Sequence, residues 1–160
     1  MRPAGLLVGI TAASTIAFTA TPAHAYAQQA DFTIRPSPSS SDFCTWSGAS
    51  TSAAPPSPLT IGLTAASPFC YSGVLAATSD PAFTFNENWP GTALSPQVAI
   101  AIFYGSLVGT CHYGAINLTL HRQGVTREYS SYSIFFTELA PKRTLCPDTM
   151  PIHLVSIVFY

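Results

Sequence analysis

From Asp31 onward, apolar side chains recur at every second position, and no segment repeats them every third or fourth. Stretches such as DFTIR, AFTFN and NLTLHR read apolar-polar-apolar and are broken by Pro, Gly or Ser-rich turns. Two-residue alternation places one face of a strand against a core and the other against water, and it cannot lay an apolar stripe along a helix. The pattern predicts strands over 31–35, 43–47, 59–65, 69–78, 82–86, 97–105, 111–120, 125–137 (broken near Ser131) and 152–160. Eight or nine short strands at this spacing make an all-β, single-domain antiparallel β-sandwich the expected fold, with an Ig-like arrangement or a small barrel as the alternative.

The N-terminus carries a second signal. Arg2 is followed by an uncharged Ala/Leu/Ile/Thr run, then Pro22 and the small-residue pattern Ala23-His24-Ala25. That is the layout of a secretory signal peptide with cleavage after Ala25, and the apolar run is shorter than the roughly 20 residues of a spanning helix. The expected division is a cleaved leader at 1–25 and one β domain at 26–160. Within that domain, the Ser/Pro-rich segment 47–58 reads as a long surface loop. The expected address is secreted and extracellular, with association at the cell surface as a variant. The leader and the Ala/Thr-rich composition are of bacterial type.

Export gives the cysteines their meaning. Cys44, Cys70, Cys111 and Cys146 are an even set in a short chain bound for an oxidising compartment, which predicts two disulfides. Sequential pairing, Cys44–Cys70 and Cys111–Cys146, is the expected connectivity. The chain-entropy argument gives about 3–4 kcal/mol for each loop. Small-domain stability is only about 5–15 kcal/mol in total, so the two bonds are a large part of it.

Charge excludes one class of partner. Residues 26–160 hold Arg35, Arg122, Arg127, Lys142 and Arg143 against seven acidic residues. No basic cluster is present to neutralise a row of phosphates, so nucleic acid is not an expected partner. The last ten residues are apolar but too short to cross a bilayer as a helix, so no transmembrane segment is expected after the leader.

Candidate chemistry is sparse. His112 and His121 share one predicted strand nine positions apart, about 30 Å along it, too far to share a metal ion. Ile116, Leu118 and Leu120 define the expected core face of that strand. A bulge at Gly114 would turn Cys111 and Tyr113 inward as well. No zinc-type histidine spacing, no nucleophile elbow and no paired carboxylates occur, so neither a metal, a cofactor nor a catalytic residue is expected. Asn86, Glu87, Asn88 and Trp89 stand out instead, because an aromatic beside amides and a carboxylate suits stacking on a sugar or anchoring a protein. They open a predicted loop, 86–96, that Pro90, Gly91 and Pro96 restrain. The sequence therefore points to a non-catalytic extracellular binding or cell-surface component whose partner is a protein or a glycan. A protease-inhibitor-like protein presenting Cys146–Pro151 is the alternative, and a secreted hydrolase the second alternative.

Overall fold

The computed structural model describes residues 28–36, 38, 43–71, 74–88, 91–103 and 108–160. The expected leader, 1–25, and Trp89 lie outside them. Among the described residues there is no helix, and ten strands form an antiparallel architecture. They are β1 (Gln29–Arg35), β2 (Cys44–Ser50), β3 (Leu59–Thr60), β4 (Phe69–Cys70), β5 (Val74–Ala77), β6 (Ala82–Asn86), β7 (Thr92–Phe103), β8 (Thr110–Arg122), β9 (Glu128–Glu138) and β10 (Thr149–Phe159). The hydrogen-bonded order is β3-β6-β7-β8-β9-β10-β1-β2-β4, with β5 paired to β7. Just beyond β2 and β3, Thr51 bridges Ile61, so the two sides of the sheet are joined there. The all-β class and both expected disulfides, Cys44–Cys70 and Cys111–Cys146, are present.

The core is the lining of this curled sheet. Phe32, Ile34, Trp46, Phe83, Ile100, Tyr113, Leu120, Phe136, Val155 and Ile157 are buried in it. In four strands the inward-pointing set changes parity midway. β7 buries Ala93 and Ser95, then Val98 and Ile100; β8 buries Cys111, Tyr113 and Ala115, then Leu118 and Leu120. β9 turns in Tyr129, then Phe136 and Glu138; β10 turns in Met150 and Ile152, then Val155, Ile157 and Phe159. The switches align across the sheet. Pro96 faces Asn117 (φ 54°), and His153 faces Ser133 (φ 55°). A left-handed residue rotates the chain's side-chain direction, so it lets a long strand pass from one wall of the core to the other without losing register. Along the same crease the β8–β9 ladder lapses between Gly114–Thr137 and His121–Ser130.

The crease corrects two expectations. Ile116, assigned to the core face, is 67% exposed because it lies just ahead of the Asn117 switch. Cys111 and Tyr113 do turn inward, but the switch sits at Asn117 rather than Gly114. Gly114 is needed for a different reason: a Cβ there would lie 3.0 Å from Leu139 Cδ2, in the loop that Cys146 ties down.

Strand bounds also differ. The single strand expected over 69–78 is two pieces, β4 on β2 and β5 on β7. The long loop expected over 86–96 shrinks, because Asn86 pairs with Thr92 and β7 begins there. The first residues of segment 47–58 complete β2.

Candidate functional site

The β6–β7 hairpin carries Asn86, Glu87 and Asn88 to one end of the molecule. Asn86 Oδ1 accepts from the Asn88 N–H at 3.1 Å, and the Gly91 N–H donates to the Asn88 carbonyl at 2.6 Å. Gly91 has φ +74°, and a Cβ on it would sit 3.2 Å from Arg122 Cβ and Cδ. Only glycine gives both the left-handed turn and room for the arginine stem. The Arg122 N–H then donates to the Gly91 carbonyl at 3.0 Å, stitching the hairpin to the end of β8.

Glu87 is the hub of this end. Arg122 Nη1 donates to its Oε2 at 2.5 Å, and the Tyr129 hydroxyl donates to its Oε1 at 2.7 Å. Arg122 and Tyr129 are cross-strand partners on β8 and β9, so the turn between those strands sets their spacing. Arg122 Nε also holds the Thr126 carbonyl at 2.8 Å, closing that turn over its own side chain. Behind Tyr129, Phe85 and Phe159 pack edge-on, with ring centroids 5.4 Å and 6.1 Å from it. Burial first, then the hydrogen bond and charge of Glu87, push the Tyr129 phenol up to about 12; nearby Arg122 opposes the shift. Tyr129 is therefore a fixed neutral donor, and each Glu87 oxygen accepts one of these two hydrogen bonds.

A cleft of about 220 Å³ opens over this cluster, lined by Pro55, Pro56, Glu87, Arg122, Arg127 and Tyr129. Glu87 balances Arg122, while Arg127 forms no ion pair among the described residues, so the cleft keeps one positive charge. Two prolines supply a wall with little conformational freedom. Chemically this is a place to hold a ligand: it offers rigid donors, one free guanidinium and apolar edges.

Of the four candidate binding residues, the structure brings Asn86, Glu87 and Asn88 together at the hairpin tip, and Trp89 lies outside the described residues. Arg122, Arg127, Tyr129, Pro55 and Pro56 were not among the candidates. The apolar-polar hairpin LTLHRQGVTREY does carry a signal for Arg122 and Tyr129; nothing near Pro55 announces its place in the cleft.

The four cysteines pair as expected and are structural. Half of the Cys146–Pro151 segment is strand rather than loop. Thr149, Met150 and Pro151 belong to β10, paired to Thr137, Phe136 and Phe135, and Met150 is buried. Among the described residues no three His, Cys, Asp or Glu side chains gather where they would hold a metal ion. No described helix is long and apolar enough to cross a membrane, and two disulfides fit an extracellular setting. Comparison with family models, curated proteins and solved structures finds no match to this chain.

Proposed function

We propose that this chain is an exported β domain that works by binding, as an extracellular or cell-surface component, and carries no catalytic machinery. The carrying observation is the commitment of Glu87. Here one oxygen is held by Arg122 and the other by Tyr129, so the carboxylate braces the tip. A braced tip loses little ordering entropy when a partner settles on it, and that favours recognition. The leader at 1–25 and the two disulfides support export, with the mature chain starting at Tyr26.

The expected contact is the 86–91 tip, with Trp89 as aromatic anchor and a protein or glycan as partner. The test starts with capture of partners from native culture medium and cell wall on the tagged secreted chain. Trp89→Ala is then expected to weaken the captured interaction by about 2 kcal/mol or more while the melting temperature holds. A variant that melts early yet binds normally would make Trp89 a packing residue and overturn the assignment.

A further inference from the structure

The outer face of the sheet carries a pattern independent of the tip. The register aligns Phe69 with Thr45, Thr45 with Thr33, Thr33 with Ser156 and Ser156 with Ser130. Phe69, Thr45, Thr33 and Ser156 alternate with buried Cys44, Ile34, Val155 and Ile157 and point away from the core, whereas Ser130, at the β9 end, is itself buried. The result is a row of hydroxyls crossing β2, β1 and β10 at right angles to the chains, with Phe69 at its β4 end. The Thr33 and Thr45 hydroxyls are 2.9 Å apart and hydrogen-bonded to each other.

Beside this row runs a second one. The Tyr71 N–H donates to the Phe43 carbonyl at one end, and Arg35 pairs with Leu154 and Leu154 with Tyr132 toward the other. Phe69, Tyr71 and Tyr132 are 66%, 68% and 60% exposed. Phe43 and Tyr71 stack at 17° with centroids 6.4 Å apart, and Tyr132 leans edge-on to His153. From β4 to β9 is four strand spacings, about 19 Å. Past Tyr132 the face continues into a groove of about 310 Å³ between Pro36 and the Ser133, Phe135 and His153 edges of β9 and β10.

Exposed aromatic side chains gathered on one face mark a contact surface, and here they flank a hydroxyl row. Arg35 is the only charged residue in either row. A partner matched to this face is long, uncharged, apolar on its flat faces and rimmed with hydroxyls. We propose that the outer face of β4, β2, β1, β10 and β9 binds an extended neutral polysaccharide laid across the strands. Sugar rings stack on the Phe43–Tyr71 pair and on Tyr132 while Thr45, Thr33 and Ser156 meet their hydroxyls.

The test uses the mature, oxidised chain and three insoluble probes: cellulose, chitin and a β-1,3-glucan. Vesicles rich in phosphatidylserine and a phenyl-substituted resin serve as the competing lipid and generic apolar surfaces. The expected result is retention on at least one polysaccharide, unchanged up to about 1 M salt because the polysaccharide carries no charge for Arg35 to attract. Tyr71→Ala with Tyr132→Ala should weaken it at least about tenfold, and Thr33→Val with Thr45→Val about three- to tenfold, at unchanged melting temperature. Trp89→Ala should leave this retention alone, which separates it from binding at the tip. Retention on none of the three polysaccharides overturns the proposal, as does equal retention on phenyl resin or vesicles, or indifference to the tyrosine pair.

Discussion

The two disulfides close loops of similar size, 26 and 35 residues apart in sequence, yet they hold very different ground. Cys111 lies in β8, a central strand with partners on both sides, and both Cys111 and Cys146 are buried. Their bond pins the 139–148 loop over Gly114, helped by the Glu138 side chain, which accepts from the Arg143 N–H at 2.8 Å. Cys70 lies in β4, two residues long and paired to β2 alone. There the bond substitutes for a ladder too short to hold by itself, and it carries exposed Phe69 and Tyr71 beside it. A covalent staple thus finishes a core in one region and fixes a surface in the other. At the Glu87 end, where neither reaches, an ion pair and a phenol hydrogen bond close the structure instead.

Breaking the inner staple should cost most. Replacing Cys111 and Cys146 together by Ala removes about 3–4 kcal/mol of loop entropy and also empties a buried site. The urea midpoint should fall accordingly, and near-equality with the outer pair would contradict the distinction drawn here. Loss of Cys44–Cys70 is expected to cost about 3–4 kcal/mol of loop entropy with a smaller cavity term, since Cys44 is buried but Cys70 only partly so. Its particular mark is local: amide exchange should speed up first across 69–77, while the β7–β10 ladders stay protected.

The polar closure ranks next. Glu87→Gln weakens the pairing with Arg122 and gives the Tyr129 hydroxyl a poorer acceptor to donate to, an expected loss of about 1–2 kcal/mol by thermal or denaturant melting. Tyr129 also predicts an alkaline signature. Its folded phenol titrates at about 12 against the ordinary 10, so above pH 10 the unfolded chain releases a proton that the folded chain retains. Stability present below pH 10 is therefore lost as pH rises toward 12. Glu87→Gln removes the charge and weakens the hydrogen bond that contribute to that shift, and should flatten this loss. Chelation should have the smallest effect: EDTA is expected to leave the melting temperature where it is, and a drop of several degrees would reveal a structural metal.

Two-residue alternation and the absence of a helical period determined the all-β class, because side chains on a pleated strand have no other way to divide between core and water. An even cysteine set behind an export-type leader predicted two disulfides, and the sequential guess at their pairing is the one the structure contains. The stretch from Thr110 to Arg122 shows where that reading stops. Its alternation runs unbroken through Ile116, Leu118 and Leu120, but the backbone turns over at Asn117, which the opposing Pro96 and the neighbouring strands share. Such a crease belongs to four strands at once and leaves no mark in any one of them. The site divides in the same way. Asn86, Glu87 and Asn88 were legible because they cluster in sequence beside a turn pair. Arg122, Tyr129 and Pro55 reach Glu87 through strand register and a loop folded back from the far side of the sheet. Local chemistry is written in neighbouring residues, but the hydroxyl row and the Glu87 hub depend on which strand lies beside which, and only the folded sheet decides that.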